Sequence, residues 1–255
     1  MWLRLRQIAL VAHDIAVVED LRAVFGLEVG HVDPAVGTFG LENRILPIGT
    51  QFLEVVAPVE AKTAGGRYLE RRRGDGGYMV ICQCDEHAPR KRRVAELGIR
   101  TVMEVDGTEY CIMQLHPRDT GGSFLEIDWA TGADDPNGPW APAGTQWREA
   151  VRTDVISAIT AAEIQSSEPE RVASRWSDIT HIPMTRETDG NPALQLENAI
   201  VRFIESTDGR PEGLGGIDVR ATDKERALAA AGERGLPVDG DMVLICGTRF
   251  RLASE

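Results

Sequence analysis

Residues 41–58 read LENRILPIGTQFLEVVAP, and pieces of this stretch return along the chain. Leu41-Glu42-Asn43 recurs as Leu196-Glu197-Asn198, and Phe52-Leu53-Glu54 recurs as Phe124-Leu125-Glu126 and Phe203-Ile204-Glu205. Upstream lies a strand-like run, LRLRQIALVA (3–12), then a helical spacing of Val18, Leu21, Val24 and Phe25 that stops at Gly26. LEVGHV (27–32), GTFGLENRILPIG (37–49) and TQFLEVVAP (50–58) read as three strands closed by short turns. The unit is therefore strand, helix, then three strands.

The same order returns three times. YMVICQCD (78–85), the helix HAPRKRRVAELG (87–98), RTVMEV, TEYCIMQLH and GSFLEIDWA make a second unit. A third starts near Asp154 with VISAITAAEI, has a helix from Pro169 to Ile179, and continues through IPMTRE, PALQLENAI and VRFIEST. A shorter fourth starts at Gly216 with GIDVRATD, has the helix KERALAAAGERG, and closes with MVLIC and TRFRLAS. Gln7 to Glu54, Tyr78 to Glu126 and Ile156 to Glu205 are each separated by about 50 positions, a period that marks duplicated structural units. The expected fold is α+β, with four βαβββ modules paired into two cups. ATGADDPNGPWAPAGTQW (130–147) breaks both periodicities. This divides the chain into a first domain (1–130), a linker (131–150) and a second domain (151–255), with Trp140 and Trp147 pinning the linker by packing.

Composition narrows the function. With 255 residues and 42% hydrophobic content the chain can bury a substantial core. Its 28 basic and 40 acidic residues give a formal net charge of −12, which opposes a nucleic-acid surface. The basic runs Arg71-Arg72-Arg73 and Arg90-Lys91-Arg92-Arg93 sit in helix-like stretches and read as solvated faces. The apolar start is broken by His13 and Asp14, and no run approaches the ~20 apolar residues of a membrane span. Cys82, Cys84, Cys111 and Cys246 form no disulfide framework and read as reduced thiols, so the expected compartment is the cytoplasm.

LENRILPIGTQFLEVVAP and HPRDTGGSFLEID (116–128) resemble the vicinal-oxygen-chelate superfamily, which includes glyoxalase I, methylmalonyl-CoA epimerase, extradiol dioxygenases and bleomycin-resistance proteins. The resemblance implies a cup built from two units, with a divalent metal held from the first and last strand of each. On this sequence those positions are Gln7 and Glu54 in the first unit and Tyr78 and Glu126 in the second, Tyr78 standing where the family usually has His. In the second half Ile156, Gly216 and Leu252 fall at ligand positions and only Glu205 is retained, so a metal is expected in the first cup alone.

Strand alternation groups Gln7, Ala9, Val11 and His13 on one face, and Tyr78, Val80, Cys82 and Cys84 on another, as cup linings. Two inward carboxylates repel unless a cation or a proton lies between them. A set of Gln7, Glu54 and Glu126 is rich in oxygen and suits Mg²⁺ or Mn²⁺, with Ni²⁺ and Zn²⁺ as further candidates. The expected chemistry is metal-assisted enolisation of a small carbonyl compound by an isomerase or lyase, with Glu126 as base, Tyr78 as ligand or proton donor, and His116 at the rim. Two other readings stand beside it. One is a metal-free small-molecule binding protein of the bleomycin-resistance type. In the other, both glutamates are structural and share a proton. Pairing within one chain and unit exchange across a homodimer fit the same repeat.

Overall fold

The computed structural model describes residues 1–254. The first unit comprises β1 (Leu3–Val11), α1 (Val18–Phe25), β2 (Leu41–Ile48) and β3 (Gln51–Pro58), with an added helix α2 (Ala64–Arg72). The second has β4 (Gly76–Cys84), α3 (His87–Glu96), β5 (Thr101–Asp106), β6 (Tyr110–Leu115), the single turn α4 (Pro117–Thr120) and β7 (Phe124–Ala130). The third has β8 (Ile156–Ser166), α5 (Pro169–Thr180), β9 (Met184–Arg186), β10 (Pro192–Gln195) and β11 (Ile200–Glu205). The fourth has β12 (Gly213–Ala221), α6 (Lys224–Glu233), β13 (Val238–Asp239), β14 (Met242–Ile245) and β15 (Thr248–Ala253).

The duplication is visible in the sheets. One has seven strands in the order β2-β3-β1-β4-β7-β6-β5, the other eight in the order β13-β14-β15-β12-β8-β11-β10-β9. Each is symmetric about an antiparallel central pair, β1–β4 or β8–β12, flanked by parallel neighbours. One expected strand is missing. Residues 27–32 form only an isolated bridge, His31 to Ile45, because Asp33 caps and Pro34 opens a 3₁₀ helix that also absorbs Gly37–Phe39.

One apolar core runs through both halves, from Leu3 and Leu10 to Phe203 and Phe250, with α1 against α6 and α3 against α5. This placement corrects the reading of the two basic runs as solvated faces. Arg72 and Arg90 are buried and reach across to the other half. Arg72 donates to the carbonyls of Pro211 (2.6 Å) and Leu214 (3.0 Å), and Arg90 to that of Thr180 (2.9 Å). Each guanidinium satisfies carbonyls that the packing of the halves would otherwise strand.

The halves touch closely at Gly77, where an added Cβ would stand 2.4 Å from Leu214 Cγ and 2.6 Å from the Leu214 carbonyl oxygen. Because backbone blocks one side, Gly77→Ala is expected to cost about 1–3 kcal/mol of stability, read as a lower urea midpoint at unchanged slope. Among the described residues, no helix is long and apolar enough to cross a membrane.

Candidate active site

The first cup is set by two parallel pairings. Gln7 lies beside Phe52 and Ala9 beside Glu54, while Met79 lies beside Phe124 and Ile81 beside Glu126. Glu54 and Glu126 are thus equivalent, and the equivalent of Gln7 is Met79. Tyr78 is the extra residue of a bulge, where Ala9 pairs with Met79 but Leu10 with Gly77. An extra residue reverses every side chain beyond it. The lining expected for β4 is corrected accordingly: Met79 and Ile81 join the cup cluster, whereas Val80, Cys82 and Cys84 pack in the main core. Burial pushes the Cys82 and Cys84 thiols up to about 12, so both are inert at neutral pH.

Glu54 stands at the end of a relay of amides. Trp140 Nε1 donates to Gln7 Oε1 (2.7 Å), Gln7 Nε2 donates to Glu54 Oε2 (2.8 Å), and Asn43 Nδ2 donates to Glu54 Oε1 (2.6 Å). Glu126 accepts from Gln114 Nε2 (2.8 Å), its direct register partner across the β6–β7 hairpin. Asp128, two residues on and on the same face, accepts from the Tyr110 hydroxyl (2.5 Å) and the Met113 amide (3.3 Å). Glu54 and Glu126 keep 7% and 6% exposure, whereas Asn43 and Asp128 are sealed. The two glutamates therefore retain a slight exposure that Asn43 and Asp128 lack.

Burial dominates their electrostatics. It raises Glu54 from 4.5 to about 7 against the opposing amide donors, and the Glu126 charge adds to the rise. Asp128 is held well above its usual value by burial and by Glu126, and Glu126 is raised by burial as well. Burial and mutual repulsion thus favour the protonated form of this carboxyl pair. Because these values are raised in the folded state, the linked stability is present in acid and is lost as pH rises. For Glu54 the loss runs from about 4.5 to about 7 and is on the order of 3 kcal/mol. The urea midpoint is expected to fall between pH 5 and pH 8. A flat or rising profile would contradict the shift.

Tyr78 is buried against Tyr68 (ring centroids 4.9 Å apart) and Phe124 (5.1 Å), and burial pushes its hydroxyl up to about 12. It can donate a proton at neutral pH but does not act as a base. His116 stands apart, as the N-cap of α4, its Nδ1 accepting from the Arg118 amide at 3.2 Å.

The linker closes the cup. Trp140 and Trp147 are buried in its apolar cluster with Ala143, and Trp147 meets Phe52 edge-on at 5.1 Å. Arg6 lies between them, over Trp140 (5.4 Å) and Phe52 (5.3 Å), and donates to the Thr50 (2.7 Å) and Gly138 (3.1 Å) carbonyls.

This arrangement does not fit a divalent ion at Gln7, Glu54 and Glu126. The Gln7 oxygen that would bind it holds the Trp140 indole, and both Glu54 oxygens hold amides. Among the described residues, the carboxyls of the cup do not bring three ligand atoms within 4.8 Å of one another. A group that does lies elsewhere, at His87, Asp106 and Cys111.

The second cup differs from its expected bareness. Phe203 packs in the core, so its neighbour Arg202 faces the cup and the match of Phe203-Ile204-Glu205 to Phe52-Leu53-Glu54 is out of step by one residue. Arg202 is bonded to Glu163 (3.1 Å), Glu187 (3.0 Å) and Asp218 (3.0 Å). Glu205 is exposed at the edge of the adjoining cleft, whose volume is about 460 Å³. Leu196-Glu197-Asn198 also departs from its copy. Asn43 serves Glu54, whereas Asn198 lies in a turn and binds the Leu5 backbone of the other half at 2.8 and 3.0 Å.

Sequence reasoning missed Asn43, Tyr110, Gln114 and Asp128. Asp128 was within reach, since alternation places it on the face of Glu126. The other three meet their carboxyls only through hairpin register.

The sequence profile of a family described as a glyoxalase-like domain matches residues 8–180, more than half of the chain. No curated protein matches. A hypothetical protein from Staphylococcus aureus superposes with TM-score 0.69 at 13% identity, over 100% of both chains. A variant of 4-hydroxymandelate synthase from Streptomyces coelicolor gives 0.63 at 15% identity, over 91% of this chain and 75% of that one. A variant of Streptomyces coelicolor methylmalonyl-CoA epimerase, solved with 2-nitronate-propionyl-CoA, gives 0.45 at 25% identity, over 50% of this chain and 94% of that one. The two full-length likenesses show the fold of paired cups, and the family match extends from β1 through α5. The chain belongs to the glyoxalase-like domain family.

Proposed function

We propose that the first cup is the active site of an isomerase or lyase that moves a proton on the carbon beside the carbonyl of a small oxygenated compound. The observation that supports this most is Glu54, a nearly buried carboxyl raised to about 7. A base works best when its pKa lies near the working pH. Sequence reasoning favoured Glu126 as base, but Glu54, raised to about 7 and held by the Gln7 and Asn43 amides, suits that role. In its ionised form Glu54 takes the carbon-bound proton. The Glu126–Asp128 pair, whose protonated form burial favours, hydrogen-bonds the developing enolate oxygen and returns a proton to the product. Gln7, Asn43 and Gln114 orient the carboxyls, and Met79, Tyr78 and Phe124 belong to the apolar cluster that excludes water.

No metal enters this scheme, because the Gln7 oxygen holds the Trp140 indole and the carboxyls of the cup do not cluster as ligands. The test is carbon-bound hydrogen exchange in D₂O, followed by proton NMR over a panel of small ketones, aldehydes and 2-oxo or 2-hydroxy acids with EDTA-treated protein. Exchange of at least one compound is expected, and its survival after EDTA treatment separates this route from a metal-dependent one. A second reading, sequestration without turnover, is favoured by the seating of Trp140 and Trp147 in the cup. Binding of a panel compound without exchange would support it.

A further inference from the structure

His87, Asp106 and Cys111 come together on the side of the first sheet away from its cup, with one nitrogen, oxygen or sulfur atom from each lying within 4.8 Å of the others. Asp106 and Cys111 are direct partners in the β5–β6 pairing, and His87 opens α3, which packs on this side. Three chemically different donors therefore meet where an edge hairpin meets the first turn of a helix.

A second, independent observation points to a ligand here. His87 is only 8% exposed, yet its Nε2 has no hydrogen-bond partner. A buried imidazole nitrogen without a partner is unfavourable, and a coordinated cation is one of the few groups that offsets this. The Asp106 carboxylate already attracts a cation. Lys91 Nζ lies 2.5 Å from Asp106 Oδ2 and 2.6 Å from Glu104 Oε1.

We propose that His87, Asp106 and Cys111 form a site for a borderline-soft divalent cation, Zn²⁺ foremost, outside both cups. The donor set of imidazole, carboxylate and thiolate suits Zn²⁺ and disfavours Mg²⁺ and Ca²⁺, which take oxygen. Tetrahedral bonds of about 2.0–2.3 Å place ligand atoms roughly 3.3–3.8 Å apart, so a cluster within 4.8 Å contracts by up to about 1.5 Å on binding. On binding, the Cys111 thiol loses its proton to solvent as the metal–sulfur bond forms, and Lys91 yields part of its hold on Asp106. Three protein ligands leave one position for water. The ion ties α3 to the hairpin whose opposite face carries Tyr110 and Gln114, the partners of Asp128 and Glu126, and so stiffens the wall of the first cup.

The test is Co²⁺ titration of the EDTA-treated full-length protein, followed by absorption. Near-stoichiometric binding with a thiolate-to-cobalt charge-transfer band and intense tetrahedral bands is expected, bleached by added Zn²⁺. Cys111→Ser should abolish the charge-transfer band, and His87→Ala should weaken binding at least about 10-fold. Lys91→Met, which removes the competing ammonium, should strengthen it. The thiolate band is diagnostic because the first cup offers no exposed thiol. Circular dichroism establishes that each variant is folded, and Cys111, half-buried and exchanged for a near-isostere, is the variant least exposed to misfolding. A wild-type protein with no charge-transfer band, or a band unchanged in Cys111→Ser, would overturn the site.

Discussion

Glu54→Gln is expected to slow carbon-bound hydrogen exchange by at least about 100-fold, within the range that a positioned general base contributes. The amide has no basic oxygen to take the proton, so the loss falls on turnover rather than on binding. It also disturbs the relay. Gln7 and Asn43 both donate to Glu54, and an amide would set its own NH₂ against one of them. Glu54→Ala is then the informative companion, since it removes both acceptors and the base together. Glu126→Gln should also slow exchange, by removing one carboxyl of the pair with Asp128. Exchange that survives both single substitutions would remove these carboxyls from the chemistry.

Trp140→Ala is expected to destabilise the protein by about 3–5 kcal/mol, the usual cost of emptying a buried tryptophan site. The indole is buried, lies edge-on to Tyr110 at 5.4 Å and donates to Gln7. Trp140→Phe retains most of the packing and leaves the buried Gln7 oxygen without its donor, for about 1–3 kcal/mol. Both variants admit water to the cup. Desolvation is the largest cause of the raised Glu54 value, so its pKa should fall toward 4.5 in the alanine variant. Urea denaturation measures the first effect, and the pH at which stability falls measures the second.

The repeated order of strand, helix and three strands was legible because apolar periodicity and the FLE copies are local. Which face each residue occupies was less so. A one-residue bulge at Tyr78 and a one-residue offset at Phe203 each reverse a face, and neither leaves a mark on alternation itself. Glu54 and Glu126 were legible from the resemblance. Their partners Asn43 and Gln114 depend on hairpin register, which a sequence read alone does not supply. Trp140 was readable as packing, but its bond to Gln7 joins residues 133 positions apart. Arg72 and Arg90 looked like solvent-facing charges because their helices are polar by composition. They are buried because the two halves share one core.

The account rests on Glu54 titrating near neutrality, and ¹³C NMR of glutamate labelled at the carboxyl carbon tests this directly. Comparison of wild type with Glu54→Gln identifies the Glu54 resonance. A titration near pH 7 for that resonance is the predicted result. A midpoint at the ordinary 4.5 would mean that Glu54 is a plain carboxylate at neutral pH, and the proton-transfer reading of the cup would fall.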